Sequence, residues 1–349
     1  MADHSRAGRH ERSTEPVTIA TVSSCMLAPK QVWGLADGAG DTVFVFPGAG
    51  WHWTRVAVEL LSDAPTFVDE MRRCDAAFTE FLDWSPLEFL RGDIGASGTD
   101  RVDVMQPVLF AVMVSVAALA RSRGIVPDAV LGHSQGEIAA AYVAGALSLR
   151  DAAKVVTSLS EAISTISGAG GMVSIPLPIH HVCALIEPWG ESLSVAAQNG
   201  PASTVVTGYA AALDELVAEC ERDRVPAVRI PVAYAAHSTQ VEAMRETLRE
   251  TLSDLQPRTG DIPFISGVTG AGLDTSILDG DYWFANLRQP VLFEQAVRWS
   301  YEHGYRTFLE VSPLPVLTWG IRESVDEYGA HHPVVTATAP LAATPERTR

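Results

Sequence analysis

A Gly-His-Ser-Gln-Gly motif at residues 132–136 is the feature that most constrains this chain. It follows a short apolar run that ends in Gly132 and precedes an alanine-rich stretch, residues 138–146, with the composition of a helix. A strand, a sharp glycine turn and a helix are the setting in which a serine side chain is held exposed at the end of a strand. The motif therefore predicts a nucleophilic Ser134 in an α/β fold.

The composition is that of a folded chain with a sizeable core. Of 349 residues, 47% are hydrophobic and 19% are charged, which is not the balance of a disordered chain. The formal net charge is -17, from 25 basic and 42 acidic residues. Because phosphate contacts require lysine and arginine, this charge argues against a nucleic-acid partner. The four cysteines include no Cys-x-x-Cys pair, so we expect reduced thiols and no metal site.

Neither a signal peptide nor a membrane span is predicted. Residues 1–16 mix acidic, basic and histidine side chains and lack the apolar centre of a signal peptide. The longest apolar run, residues 107–120, is too short to cross a bilayer and predicts a buried helix. We therefore expect a cytoplasmic protein with no membrane partner.

Strand and helix signals divide the chain into a large core and an inserted small unit. Residues 42–46 predict a buried strand that enters a glycine-rich loop. From residue 172 to residue 230, shorter signals alternate in the order β-α-β-β-α-β, which is typical of a ferredoxin-like unit. The predicted parts are an α/β-hydrolase-like core with a parallel sheet (41–170 and 232–330), a ferredoxin-like subdomain (171–231), an N-terminal leader and linker (1–40) and a C-terminal linker (331–349).

A serine hydroxyl is a weak nucleophile at neutral pH, so Ser134 needs a base and donors for an oxyanion. The backbone N–H of Gln135, at the start of the helix, is directed to where an oxyanion would form. Of the ten histidines, four lie near the termini and two in the inserted unit. His133 should point away from Ser134, because adjacent side chains diverge at such a turn. The remaining candidates for the base are His52, His237 and His303.

Six further motifs lie along the chain, two before the serine motif and four after it. They are residues 45–50 (Val-Phe-Pro-Gly-Ala-Gly), 106–107 (Gln-Pro), 199–201 (Asn-Gly-Pro), 234–238 (Tyr-Ala-Ala-His-Ser), 286–291 (Asn-Leu-Arg-Gln-Pro-Val) and 308–313 (Phe-Leu-Glu-Val-Ser-Pro). Together with residues 132–137, they resemble the acyltransferase domains of modular polyketide synthases. These domains are similar to the malonyl transferases of fatty-acid synthesis. The resemblance covers residues 42–321.

The resemblance implies a catalytic dyad of Ser134 and His237 that works in a ping-pong cycle without an aspartate. It also implies that the backbone carbonyl of Asn286 orients the histidine. Backbone N–H groups of Gln135 and Ala49 would form the oxyanion hole. The implied substrates are an acyl-CoA and the phosphopantetheine thiol of an acyl carrier protein, with no bound cofactor.

One departure from the family pattern bears on the acyl group. Malonyl-type members carry an arginine on the helix after the nucleophile, where it pairs with the free carboxylate of the substrate. Leu159 occupies that position here, and residues 155–172 contain no lysine or arginine. A malonyl group would then bury an unpaired carboxylate, at a cost of several kcal/mol. The sequence predicts an uncharged acyl group and a loading acyltransferase that selects the starter unit, unless an arginine enters from another segment.

Four other positions are assigned to substrate binding. Trp51 either lines the acyl pocket or only packs its loop, and Gln106 matches a family glutamine near the nucleophile. Tyr234 and Ala236 belong to a motif closest to the Tyr-Ala-Ser-His form of members that take branched units. The small Ala236 leaves room for an α-branch, as in propionyl, isobutyryl or 2-methylbutyryl starters.

The carrier protein is expected to dock on a local basic patch, because carrier proteins are usually acidic and so is this chain. The candidates are Arg288, Arg298, Arg306 and Arg322. Three other functions stay open: a proofreading acyl hydrolase, a discrete transferase that moves an acyl or aminoacyl group between carrier proteins, and a non-catalytic docking module. The presence of both Ser134 and His237 argues against the last.

Overall fold

Two sheets organise the residues that the computed structural model describes, which are 41–48, 54–92, 101–326 and 334–337. The strands in this part of the chain are β1 (Thr42–Phe46), β2 (Ala129–Gly132), β3 (Gly170–Ile175), β4 (Leu193–Gly200), β5 (Ser203–Tyr209), β6 (Val228–Ile230), β7 (Phe264–Ser266), β8 (Ala271–Leu273), β9 (Thr307–Glu310) and β10 (Val334–Ala337).

The helices of the same residues are α1 (Thr54–Asp63), α2 (Pro65–Phe78), α3 (Pro86–Arg91), α4 (Val102–Ser122), α5 (Gly136–Val143), α6 (Leu149–Ser164), α7 (Ile179–Ile186), α8 (Ala210–Arg222), α9 (Arg245–Thr251), α10 (Gly280–Arg288), α11 (Phe293–Glu302) and α12 (Thr318–Asp326).

The larger sheet has six strands in the order β10-β9-β1-β2-β7-β8. Neighbouring strands pair in parallel, except that β8 runs antiparallel to β7 at one edge. Every residue of β1 is buried, as its continuous apolar run predicts. Phe44 and Phe46 point into the core formed with α2, α4, α5 and α6, whereas Val43 and Val45 point to the opposite face, which α11 and α12 cover. Helices on both faces of a parallel sheet confirm the predicted fold class.

The predicted buried apolar helix is confirmed as α4, although it is longer than the apolar run alone suggests. Its 21 residues are long and apolar enough to cross a membrane, but 89% of its most apolar window is buried inside the protein. The helix packs against α2 and α6. α4 is therefore the central helix of the main core.

The smaller sheet has the strand order β4-β5-β3-β6 and is antiparallel throughout. With α7 and α8, its chain order is β-α-β-β-α-β, as predicted for a ferredoxin-like unit. Side chains alternate between its two faces. Val173 and Val206 pack under α7 and α8, whereas Met172, Val205 and Ile230 face the core beside the larger sheet.

The prediction of a C-terminal linker over residues 331–349 is wrong for four residues. Val334–Ala337 form β10, which pairs in parallel with β9 and becomes the edge of the larger sheet. Their run of Val-Val-Thr suits a strand, because β-branched side chains favour extended backbone. The predicted leader and linker, residues 1–40, lie outside the described residues.

Candidate active site

Ser134 lies in a sharp turn between β2 and α5, with a φ of 53° in the left-handed region. The glycines on either side of it are required by close packing. A Cβ at position 132 would lie 2.2 Å from the Cα of Glu137, and one at position 136 would lie 2.0 Å from the carbonyl oxygen of Phe46. A strained serine at the head of a helix presents its hydroxyl away from the sheet.

His237 is the histidine that reaches the nucleophile. Its Nε2 lies 2.9 Å from the Ser134 Oγ. The residue is 4% exposed and adopts a left-handed φ of 60°. Its backbone N–H donates to the carbonyl of Leu287 at 2.9 Å, which fixes the residue against the end of α10.

The carbonyl that orients His237 belongs to Gln289, and the prediction of Asn286 is wrong. The His237 Nδ1 lies 2.7 Å from the Gln289 oxygen. This contact makes Nδ1 the protonated nitrogen and leaves Nε2 free to accept the Ser134 proton. Gln289 is the first residue beyond α10 and has extended backbone, so its carbonyl is free to turn towards the imidazole. Asn286 lies within the last turn of that helix.

Asn286 contacts the nucleophile turn through its side chain instead. Its Nδ2 donates to the backbone carbonyl of Ser134 at 3.1 Å. The side chain is buried and also lines the cavity above Ser134. Asn286 therefore holds the strained turn in place.

Glu137 supports the same turn from below and was not predicted as a site residue, although it directly follows the motif. Its buried carboxylate accepts the N–H groups of Gly267 at 2.8 Å and Val268 at 3.2 Å. It also accepts the hydroxyl of Tyr282, which in turn contacts Ser266 at 2.8 Å. Burial raises the pKa of Glu137 to about 8. These contacts join α5 to the end of β7, across 130 residues of sequence.

His133 lies beside the dyad but is held by another partner. Its Nε2 lies 2.7 Å from the Oδ1 of Asn199 in β4. The ring therefore turns from Ser134 towards the smaller sheet, and burial lowers the pKa of His133. The Asn-Gly-Pro motif at residues 199–201 thus connects the nucleophile turn to the small unit.

A cavity of about 190 Å³ opens above Ser134, between the two sheets. Of the residues assigned to substrate binding, Gln106, Tyr234 and Ala236 line it. Gln106 donates to the carbonyl of Gly48 at 3.4 Å. Ala49 and Trp51 lie outside the described residues. The apolar part of the wall consists chiefly of Ile163, Met172, Val205, Ile230, Val232 and Leu317.

Leu159 is not among the described residues of the cavity wall. It is fully buried in the main core, and α6 contributes Ile163, one turn later, to the wall. The described lining contains no lysine, arginine, aspartate or glutamate. The only ring nitrogens that it contains belong to His133 and His237.

Gln135 follows the nucleophile and directly precedes α5. The residue is 8% exposed and lines the cavity, and neither atom of its side-chain amide has a hydrogen-bond partner. The first N–H groups of a helix have no partner within the helix. The Gln135 N–H, directly before α5, stays the predicted oxyanion donor.

The electrostatic setting keeps His237 neutral. Burial lowers the pKa of His237 to about 4, and the nearby His133 and Arg288 act in the same direction, against the effect of the Gln289 carbonyl. A neutral imidazole at physiological pH can accept a proton. The arrangement can thus deprotonate Ser134 while the hydroxyl attacks a carbonyl carbon.

Comparison with known proteins agrees with this geometry. Residues 43–343 match the family described as acyl transferase domain. The chain is 54% identical over 293 residues to the mycoketide-CoA synthase of Mycobacterium tuberculosis, covering 84% of this chain and 7% of that protein. It is 53% identical over 287 residues to the spectinabilin polyketide synthase system protein NorA of Streptomyces orinoci, covering 82% of this chain and 15% of that protein. The chain therefore spans a small part of these relatives.

Solved structures extend the comparison. The acyltransferase domain from module 8 of the salinomycin polyketide synthase is 50% identical, with a TM-score of 0.82 and coverage of 86% of this chain and 71% of that one. A loading acyltransferase from the avermectin modular polyketide synthase is 46% identical, with a TM-score of 0.81 and coverage of 85% and 93%. The family match and these relatives agree with the geometry of Ser134 and His237. The chain therefore belongs to the acyl transferase domain family of polyketide synthases.

Proposed function

We propose that this chain is a loading acyltransferase that moves an uncharged, short branched acyl group from acyl-CoA to the phosphopantetheine thiol of an acyl carrier protein. The observation that carries the proposal is the cavity above Ser134, whose described lining contains no cation. The alternative on the same family fold is an extender-unit acyltransferase for malonyl or methylmalonyl groups.

The first half-reaction follows from the dyad. His237 Nε2 accepts the proton as Ser134 Oγ attacks the thioester carbonyl. The oxyanion would accept a hydrogen bond from the Gln135 N–H. The family resemblance implies the Ala49 N–H as the second donor. The C–S bond then breaks, and the CoA thiolate takes the proton from His237. An acyl ester on Ser134 remains.

The second half-reaction reverses these roles. The carrier thiol gives its proton to His237 and attacks the ester carbonyl. Collapse of the tetrahedral intermediate breaks the bond to Ser134 Oγ, which regains a proton from His237. An acyl hydrolase would use water in place of the thiol, so the ratio of transfer to hydrolysis separates the two activities.

The absence of a cation from the described wall argues for an uncharged acyl group. A carboxylate placed among Ile163, Val205 and Ile230 would lose its hydration without gaining an ion pair, which costs several kcal/mol. On α6, the residue aligned with the family arginine (Leu159) and the residue that lines the cavity (Ile163) are both apolar. An alkyl chain instead gains roughly 0.8 kcal/mol for each methylene that it buries there.

The size of the cavity argues for a short acyl group. An engineered apolar cavity of about 150 Å³ holds one benzene molecule. A cavity of about 190 Å³ therefore suits an acyl group of a few carbons. The small side chains of Ala196, Ala197 and Ala236 in the wall leave room for an α-branch, as in isobutyryl or 2-methylbutyryl.

Intact-protein mass measurement tests the proposal. The purified chain is incubated separately with propionyl-, isobutyryl-, 2-methylbutyryl-, malonyl- and methylmalonyl-CoA, and the adduct mass is followed in time. We expect the three uncharged groups to label the protein and the two carboxylated groups to label it more slowly, by about a hundredfold or more. The Ser134→Ala variant is the control for the site of labelling. Preferential labelling by malonyl- or methylmalonyl-CoA would reject the loading function.

A further inference from the structure

Three large apolar side chains are displayed to solvent beside the opening of the cavity, in the segment between β9 and α12. Leu314 is 37% exposed, Val316 is 52% exposed and Trp319 is 72% exposed. Val316 also lines the cavity that contains Ser134. Val316 therefore marks the place where the cavity opens to solvent. We call these three residues the mouth patch.

The backbone of the mouth patch is fixed by a buried carboxylate. Glu310, at the end of β9, accepts the N–H groups of Val316 at 2.6 Å, Leu317 at 2.9 Å and Thr318 at 2.9 Å. It also accepts the hydroxyls of Ser312 at 3.0 Å and Thr318 at 2.8 Å. These hydrogen bonds hold the exposed segment in one conformation. A partner that binds a fixed segment loses little conformational entropy in ordering it.

The mouth patch is also joined to the nucleophile. Gly320 of α12 packs so closely on Asn199 that a Cβ there would lie 2.0 Å from the Asn199 carbonyl oxygen. The Asn199 side chain contacts the ring of His133, which directly precedes Ser134. A partner seated on the patch is therefore held in a defined position relative to Ser134.

The arginines expected to form a basic docking patch are engaged within the chain. The contacts are Arg288 with Glu242 at 2.7 Å, Arg298 with Glu294 at 3.5 Å and Arg306 over the ring of Tyr301 at 4.0 Å. With a net charge of -17, the chain repels an acidic partner at long range. An acidic carrier protein must then be held mainly by close apolar contact, for which an exposed tryptophan is a strong anchor.

We propose that the mouth patch is the docking surface for the acyl carrier protein that receives the acyl group from Ser134. This inference rests on the proposed function, because it takes a carrier thiol as the acceptor. The phosphopantetheine arm enters past Val316, and the body of the carrier protein packs on Leu314 and Trp319.

The test compares two acceptors in the second half-reaction. Acyl-Ser134 is formed with isobutyryl-CoA, and its discharge is followed with a holo acyl carrier protein of a modular polyketide synthase and with free pantetheine. We expect Trp319→Ala to lower kcat/KM for the holo carrier protein at least tenfold relative to kcat/KM for pantetheine, chiefly through KM. Leu314→Ala should shift this ratio in the same direction by a smaller factor. Ile277→Ala is the matched control, because Ile277 is 51% exposed and is not part of the described cavity lining.

Each outcome has one meaning. Unchanged kcat/KM values with both acceptors in both patch variants would overturn the docking surface while leaving the transfer reaction intact. An equal fall with both acceptors would also overturn it, because the segment would then only shape the catalytic centre. A wild-type protein that labels at Ser134 but transfers to neither acceptor would refute the proposed transfer function itself.

Discussion

The two walls of the cavity differ in what fixes their side chains. On the wall next to the larger sheet, Ser134 and His237 both have left-handed backbone, with φ values of 53° and 60°, and hydrogen bonds hold each one. On the wall next to the smaller sheet, Met172, Val205 and Ile230 are held by apolar packing alone. Directional bonds define the chemistry on the first wall. On the proposed function, non-directional packing on the second wall selects the acyl group, so we expect this wall to tolerate changes without loss of the reaction.

The largest effect should come from the dyad itself. Ser134→Ala should abolish the acyl adduct, and His237→Ala should lower the rate of acylation by about 10²- to 10⁴-fold, because the serine loses its base. Intact-protein mass spectrometry with isobutyryl-CoA measures both. Thermal unfolding of each variant serves as the control for folding. An adduct of undiminished yield in Ser134→Ala would mean that another residue carries the acyl group.

Removal of the support below the nucleophile should cost stability. Glu137→Ala leaves the Gly267 N–H buried without an acceptor, whereas the Val268 N–H and the Tyr282 hydroxyl keep Ser266 Oγ as a partner. At about 1–3 kcal/mol for a buried unsatisfied donor, the free energy of unfolding should fall by about 1–3 kcal/mol. Urea denaturation measures the change, with the exposed Glu246→Ala as the matched control. A loss below about 1 kcal/mol in Glu137→Ala would show that the turn does not depend on this carboxylate.

A change in the apolar wall should alter the preferred acyl group rather than the reaction. Ile230→Ala enlarges the cavity, so kcat/KM should shift by about tenfold towards acyl-CoAs that are one or two carbons longer. Val228→Ala is the matched control, since Val228 lies on the same strand but is 64% exposed. Competition between isobutyryl- and longer branched acyl-CoAs gives the ratio directly. An unchanged ratio in Ile230→Ala would mean that the acyl chain does not reach the smaller sheet.

The smallest expected effect is the response of acylation to pH. His237 acts as a base only when neutral, and burial lowers its pKa from 6.5 to about 4. The rate of self-acylation should therefore stay nearly constant from pH 8 down to about pH 5 and fall as the pH approaches 4. Single-turnover kinetics with isobutyryl-CoA measure this profile. An inflection near pH 6.5 would contradict the buried, neutral imidazole.

Local sequence patterns predicted the elements that bear the nucleophile. The predicted strand 42–46 and the strand that ends in Gly132 match β1 and β2, because continuous apolar runs end at proline or glycine. The motif around Ser134 combined with the family resemblance also indicated His237. The resemblance placed the orienting carbonyl at Asn286, however, because the point where α10 ends relative to His237 is not a local property.

Contacts between distant segments escaped prediction for the same reason. Glu137 and Glu310 each organise backbone N–H groups of a loop, but no spacing rule pairs Glu137 with Gly267. Likewise, a helical position such as Leu159 can be aligned with the family, yet the turn that meets the cavity depends on how α6 is rotated. In the structure, Ile163 reaches the described wall and Leu159 faces the core.

The uncharged nature of the acyl group is tested most directly by two acyl-CoAs that differ at one substituent. Isobutyryl carries a methyl group where methylmalonyl carries a carboxylate, so shape is nearly matched and charge is not. The rate of Ser134 acylation, measured as kcat/KM by intact-protein mass spectrometry, should favour isobutyryl by about a hundredfold or more, since the carboxylate would be buried without a cation. Equal rates, or a preference for methylmalonyl, would contradict the account.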